Sequence, residues 1–534
     1  MSFPLRAAML YNSYAFIFLF LPIVFAGFFL VARMSHELAA LWLACASLFF
    51  YGWWNPAYVA LLVGSVLFNF AMGYLIGKRR AGDPAKAKAL LTMAIAADLA
   101  LLAYYKYTNF FIATYGTVAH QQVTLLDIVL PLGISFFTFT QIAFLVDVYR
   151  GYVKEYRFIH YLLFVTYFPH LIAGPVLHHK QMMPQFAAKE SYRIDWDNVA
   201  VGLTMFTFGL CKKVLIADSL QPIANGVFDA VHRGDNLMLF DAWVGALAYT
   251  FQLYFDFSGY SDMAIGLSRM FNVKLPLNFD SPYRATSIID FWRRWHITLS
   301  TFLRDYLYVP LGGNRLGTAR RYVNLMITML LGGLWHGANW TFVAWGGLHG
   351  LFLVVNHFWR ALSGKLGMRE AGPAWLRLFL AWSTTFLCAM VAWVFFRADT
   401  FADAAVMLKG MAGMRGVSVG LAFEQSHPVN HLAAMLGMPL ETLGFLPLAT
   451  GASGLSVLEV GVLLVISAGI AWLMPNTQQL LAKVQPALDK VTPPPYFANL
   501  WNASALPSRI VVGLLLGCAI FAINRQSTFL YYQF

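Results

Sequence analysis

The chain has 534 residues, of which 59% are hydrophobic and 12% charged, and its mean hydropathy is +0.61; a soluble globular chain carries about a quarter charged residues. The net charge is +12, but no soluble basic domain carries it, which argues against a nucleic-acid-binding protein. The four cysteines, Cys45, Cys211, Cys388 and Cys518, stand singly in mostly apolar runs, with neither metal-ligand spacing nor the pattern of a disulfide scaffold.

Residues 14–32 form an uncharged run long enough to span a bilayer. It exceeds the apolar core of a signal peptide and no small-residue cleavage site follows, so it reads as a retained first helix. Runs at 38–54 and 57–77 follow, and the aromatic patch FFYGWWNPAY between them suits a membrane interface. Residues 78–88, KRRAGDPAKAK, hold five positive charges and one negative, which places them in the cytoplasm. Counting back through three spans puts the N-terminus outside. Further spans are expected at 89–105, 128–147, 159–177, 198–217, 239–256, 322–335, 340–358, 378–396, 456–474 and 509–524. The expected fold is therefore all-α and polytopic, with about a dozen embedded segments, some short enough to be re-entrant.

Three stretches carry more polarity than a span needs. PLGISFFTFTQIAFLVDVYRG, 131–151, sets Ser135, Thr138, Thr140, Gln141 and Asp147 along an apolar segment, where they glue helices or line a tunnel. FPHLIAGPVLHH, 168–179, adds His170 and His178. YTFQLYFDFSGYSDMAIGLSRMF, 249–271, contains Gln252, Asp256, Ser258, Tyr260, Ser261 and Asp262, a candidate inner polar wall.

The chemistry concentrates in 286–350. Ile288, Trp292, Trp295, Leu299, Phe302 and Tyr306 recur in alternating steps of four and three, which predicts one amphipathic helix capped by Ser287 and Asp290. Arg293, His296, Ser300 and Arg304 line up beside that stripe. A peripheral helix with a basic, lipid-facing edge would show the same pattern. The loop GGNRLG, 312–317, offers Arg315 within what is by default a tight turn. An uncharged run then carries His336 into apolar surroundings, where an ionisable group is a functional candidate, the alternative being a neutral histidine bonded between packed helices. Gly332, Gly333 and Gly337 permit close backbone approach beside it. His349 has the same setting among Gly346, Gly347 and Gly350, where packing explains it equally well.

Residues 399–455 loosen into short apolar pieces and read as an extramembrane excursion, and 482–507 as a second polar loop around VTPPPYF. No phosphate-binding loop or nucleophile elbow is present. His296, His336 and His349 match no zinc spacing and no Cys or carboxylate completes a set, so no metal site is expected. Inverted repeats of the transporter kind are not evident.

FWRRWHITLSTFLRDYLYVPLGGNR and LLGGLWHGANWTFVAWGGLHG resemble the membrane-bound O-acyltransferase family, and within it the bacterial polysaccharide O-acetylases of the alginate O-acetylase group. Together with the aromatic ending STFLYYQF, the resemblance runs nearly end to end, whereas the teichoic acid D-alanyltransferases tend to lack so much sequence beyond the histidine core. It implies one family domain over 1–534 with its catalytic core at about 128–358. It maps the family's catalytic histidine onto His336 and its second polar position onto His296, 40 residues upstream. His336 would then be general base toward an acceptor hydroxyl. Arg293, Arg304, Arg315, Trp335, Gln252 and Asp262 are the candidate substrate-binding residues. The resemblance further implies an acetyl group moved from a cytoplasmic thioester, acetyl-CoA, toward an exopolysaccharide acceptor such as alginate, with periplasmic acetyltransferase partner proteins and no bound cofactor. Residues 269–321 hold nine Lys/Arg and three Asp/Glu, a surplus suited to an anionic donor or to anionic membrane lipids. D-alanyl or lipid acyl transfer, or a proton-coupled transporter with relaying histidines, are the alternative functions.

Overall fold

The computed structural model describes residues 9–153, 156–172, 174–366, 373–418, 440–441, 447–492 and 505–523. Their regular structure is helical, apart from a two-residue parallel pairing of Val417–Ser418 with Leu440–Glu441. In chain order the helices are α1 (Leu21–Ala32), α2 (His36–Gly52), α3 (Ala57–Arg80), α4 (Pro84–Leu102), α5 (Thr108–Ala119), α6 (Ile134–Arg150), α7 (Phe158–Thr166), α8 (His179–Ala187), α9 (Trp196–Cys211), α10 (Asp218–Arg233) and α11 (Leu239–Met270). They continue with α12 (Ile288–Arg294), α13 (Ile297–Leu303), α14 (Thr318–His336), α15 (Trp340–Lys365), α16 (Ala374–Arg397), α17 (Phe401–Met411), α18 (Pro447–Ser453), α19 (Val457–Trp472), α20 (Thr477–Leu480) and α21 (Leu506–Ala522).

Ala57–Arg80, Pro84–Ala119, Trp196–Arg233 and Ala374–Arg397 are long and apolar enough to cross a membrane, and Phe16–Ala32, His36–Gly52, Val457–Trp472 and Leu506–Ala522 are shorter apolar helices. The all-α, polytopic expectation stands. Several expected spans end elsewhere: the one at 198–217 continues through the π turn Lys212–Ala217 into α10 and ends at Arg233, and the one at 128–147 becomes helical only at Ile134. The one at 159–177 stops at Thr166, since Pro169 and Pro175 lack amide donors and a Cβ at Gly174 would overlap the backbone of His170. The one at 89–105 continues through a π turn, Ala103–Tyr107, into α5. The one at 239–256 runs on to Met270 and keeps the polar residues of 249–271 within a single helix. The aromatic ending at 527–534 and residues 419–439 and 442–446 of the expected excursion at 399–455 lie outside the described residues, and Thr400 and Asp403 form a capping box that starts α17 within that stretch.

Two compact units divide the described residues: those up to Leu210 with Gly259–Asn278 and those from Thr477 onward, and Cys211–Ser258 with those of Phe279–Asn476. In the first, α1 packs on α2, and α3 on both α4 and α6. Its buried polar groups bond across helices: Asn69 Nδ2 donates to Asp98 Oδ1 at 2.8 Å, and Gln141 Nε2 to Ser65 Oγ at 2.8 Å. Gln141 also accepts from the Tyr161 hydroxyl at 3.3 Å, so on α6 it joins helices. His170 Nε2 sits 3.0 Å from the Phe164 carbonyl, a packing role.

The second unit is organised by the hairpin of α14 and α15. These helices cross where Gly333 and Gly346 meet, the amide of Gly346 lying 3.1 Å from where a Cβ on Gly333 would stand. Only a missing side chain allows backbones so close. In the same unit Lys213, within the π turn Lys212–Ala217, bridges Asp218 Oδ1 at 2.7 Å and Asp256 Oδ1 at 2.6 Å, all three side chains being at most 3% exposed.

Candidate active site

α12 begins as expected, with Ser287 Oγ accepting from the Asp290 amide at 3.1 Å. It does not continue through Tyr306. The helix stops at Arg294, Trp295 is extended, and His296 adopts φ 44° and ψ 53°, the left-handed region, before α13 starts at Ile297. No glycine or proline marks this break, and an L-residue held there costs about 1–2 kcal/mol. Packing supplies the compensation. Trp295 is 3% exposed and lodges against Phe279 at 5.0 Å, Phe291 at 5.7 Å, Tyr283 at 6.0 Å and Trp393 at 4.9 Å between ring centroids. The kink turns the His296 ring into the interior, where its solvent exposure is 0% and Phe257 meets it edge-on at 4.8 Å.

His336 arrives from the other direction. It is the last residue of α14, followed by extended Gly337, against which the Phe342 ring packs so closely that a Cβ would collide with it. The His336 ring is 6% exposed and is enclosed by Trp335 at 4.9 Å, Trp345 at 5.0 Å and Phe396 at 5.4 Å. Its centroid lies 6.2 Å from that of His296. Two imidazoles 40 residues apart in sequence thus share one aromatic chamber and are close enough to act on one reacting group. Trp335 belongs to the same chamber, 6.3 Å from His296.

The other candidates are dispersed. Gln252 is buried on α11, and its Oε1, like Ser258 Oγ and the Tyr249 hydroxyl, has no hydrogen-bond partner among the described residues. Asp262 falls in the first unit and accepts from Gln478 Nε2 at 3.0 Å. Arg293 is exposed. Arg304, in the π turn after α13, is exposed and forms two bonds to Asp305, at 2.7 and 3.0 Å, which hold its pKa up. The expected continuous ridge of Arg293, His296 and Arg304 is therefore broken: the arginines face outward while His296 turns in. Arg315 is exposed in a loop with left-handed Gly312 and Gly313. Asn324 Nδ2 ties that loop down through the Leu311 and Gly313 carbonyls at 3.2 and 3.0 Å.

Sequence reasoning passed over Phe257, Trp345 and Phe396 as walls of the chamber, and Lys213 as the partner of Asp256. A lysine at the end of an apolar run was the available signal for Lys213. The aromatic walls gave none, because nothing local separates them from ordinary core residues.

A family model described as "MBOAT, membrane-bound O-acyltransferase family" matches residues 134–395, a range that includes both histidines. The chain is similar to a peptidoglycan O-acetyltransferase of Helicobacter pylori, with 43% identity over 438 residues, 77% of this chain and 81% of the relative. It is equally similar to the Pseudomonas aeruginosa protein named "Probable alginate O-acetylase AlgI", with 43% identity over 408 residues, 76% of this chain and 75% of the relative. A teichoic acid D-alanyltransferase of Streptococcus thermophilus is 28% identical over 238 residues, 43% of this chain and 57% of the relative.

Proposed function

The chain belongs to the membrane-bound O-acyltransferase family and is a multi-pass membrane O-acyltransferase; from that premise we propose that it passes an acetyl group from a cytoplasmic thioester donor, acetyl-CoA, to hydroxyls of an exported glycan. The supporting observation is the buried pair of His296 and His336, 6.2 Å apart in an aromatic chamber. His336 takes the proton from the acceptor hydroxyl as its oxygen attacks the thioester carbonyl carbon; the C–S bond breaks and the departing thiolate receives that proton. An imidazole suits this because its ordinary pKa lies near neutrality. His296 positions the acyl group opposite, and Trp335 closes the wall. Arg293, Arg304 and Arg315 meet the donor's phosphates at the cytoplasmic face, as guanidinium groups do best. Gln252 contacts substrate from α11, and periplasmic acetyltransferase proteins complete transfer to the polymer.

Two acceptors have support. The alginate-named relative favours an exopolysaccharide such as alginate, and the peptidoglycan-named relative, at the same identity, favours the cell-wall glycan. The test is to measure ester-linked acetate on both polymers in a host with and without the chain. Loss of acetate from one polymer identifies the acceptor. Unchanged acetate on both rejects the reading.

A further inference from the structure

α15 carries two buried N–H donors with no acceptor among the described residues, Trp345 Nε1 and His349 Nε2. Trp345 is 1% exposed and His349 0%. The His349 tautomer follows from its other nitrogen. Trp292 Nε1 donates to His349 Nδ1 at 3.2 Å, so Nδ1 is an acceptor and the ring proton sits on Nε2. Buried donors without acceptors are rare in native proteins and ask for an explanation at each site.

Their placement offers one. Residues 345 and 349 lie one turn apart on the same helix face. Their rings are 4.9 Å apart and inclined at 70°, a separation of the size spanned by two hydrogen bonds of about 2.7–3.2 Å that meet at one oxygen. Trp345 also forms a wall of the His336 chamber, at 5.0 Å. Both rings are clamped: Trp393 stacks on Trp345 at 5.6 Å and 22°, and Phe291 stacks on His349 at 5.9 Å and 6°. Donors fixed in advance, in a dry site beside a base, are the arrangement that stabilises a developing oxyanion.

We infer that the Trp345 and His349 N–H groups receive the carbonyl oxygen of the acyl donor during transfer. This rests on the acyl-transfer reading above. As the acceptor oxygen bonds to the carbonyl carbon and its proton passes to His336, the carbonyl π pair moves onto that oxygen, which the two donors hold. Collapse restores the C=O bond, expels the thiolate, and returns the proton from His336 to sulfur.

The test uses membrane vesicles containing the full chain, with acetyl-CoA varied and both thiol release and acetyl ester followed. Trp345→Phe keeps the ring and deletes the donor. His349→Phe does the same for the imidazole, while His349→Gln retains an N–H and an oxygen to accept from Trp292. The expected result is a fall in kcat of about 100-fold for each Phe variant with KM for acetyl-CoA unchanged, as for loss of one oxyanion donor, and partial rescue by His349→Gln. If Trp345→Phe is not recovered in the membrane, the two His349 variants carry the comparison. Wild-type kcat in the Phe variants, or a Gln variant as impaired as His349→Phe, overturns this inference alone. A wild-type chain that releases no thiol overturns the acyl-transfer reading and this inference with it.

Discussion

His296 occupies a backbone conformation that glycine tolerates without strain and other residues do not, with φ 44°, and this separates its structural from its chemical role. His296→Gly relieves the backbone and His296→Ala retains the strain, so the glycine variant should be the more stable by about 1 kcal/mol. Both should lose most acetyl transfer, because both lack the imidazole; thermal unfolding in detergent and polymer acetate content measure the two effects, and a fully active variant would make His296 structural. At the chamber's other side, His336→Ala should abolish acetylation while the chain still accumulates in the membrane, and retained acetylation at the wild-type level excludes the general-base role. Lys213 is a different case. Its ammonium lies buried between Asp218 and Asp256, so Lys213→Met leaves two carboxylates buried without it. Breaking such a buried arrangement costs about 3–5 kcal/mol, and the expected outcome is a marked drop in unfolding temperature and membrane abundance; an unchanged melting curve would show that the carboxylates ionise or relax without it.

Gly346 and Gly347 are neighbours on α15 with opposite demands. A Cβ on Gly346 would run into the Met329 carbonyl oxygen, a backbone atom that cannot swing away, whereas one on Gly347 meets only a Leu330 methyl at 3.4 Å. Gly346→Ala should therefore pry α14 from α15 and cost about 1–3 kcal/mol, the range for overpacking, displacing His336 with it; Gly347→Ala should be close to neutral. Parallel measurement of melting temperature and acetyl transfer checks this, and equal behaviour of the two variants would refute the close crossing. The hairpin was legible in the sequence because apolar runs and grouped glycines announce it locally. The kink at His296 was not: the four–three spacing from Ile288 to Tyr306 continues across it, and what breaks the helix is Trp295 seated among rings from Phe279, Tyr283 and Trp393, residues far from it in sequence or unremarkable beside it. Likewise the pattern signalled α11 but not its length, since hydropathy reads Asp256 and Ser258 as an ending where buried partners such as Lys213 keep the helix going.

At the scale of the whole molecule, the basic segments set the sidedness of the chain. Residues 78–88 hold five positive charges and one negative, and 269–321 nine and three, and such excess stays on the cytoplasmic side. The structure refines which charges count. Arg304 pairs with Asp305 at 2.7 Å and Arg294 with Asp290 at 3.0 Å, whereas Arg315 and Arg320 stand exposed around the glycine loop. That loop is therefore the sharper probe of sidedness. Gly317 is a poor place for a reporter, because its φ of 86° penalises any side chain; Leu316, 63% exposed, is a better one. The exposed native thiols, Cys45 and Cys518, would react as well and must first be replaced by serine. In that background Leu316→Cys should resist a membrane-impermeant maleimide added to intact cells and react once the membrane is opened, and Lys86→Cys should behave identically. Ready labelling of Leu316→Cys from outside would place the basic loop away from the compartment where coenzyme A thioesters are made, and donor entry at that face would fall with it.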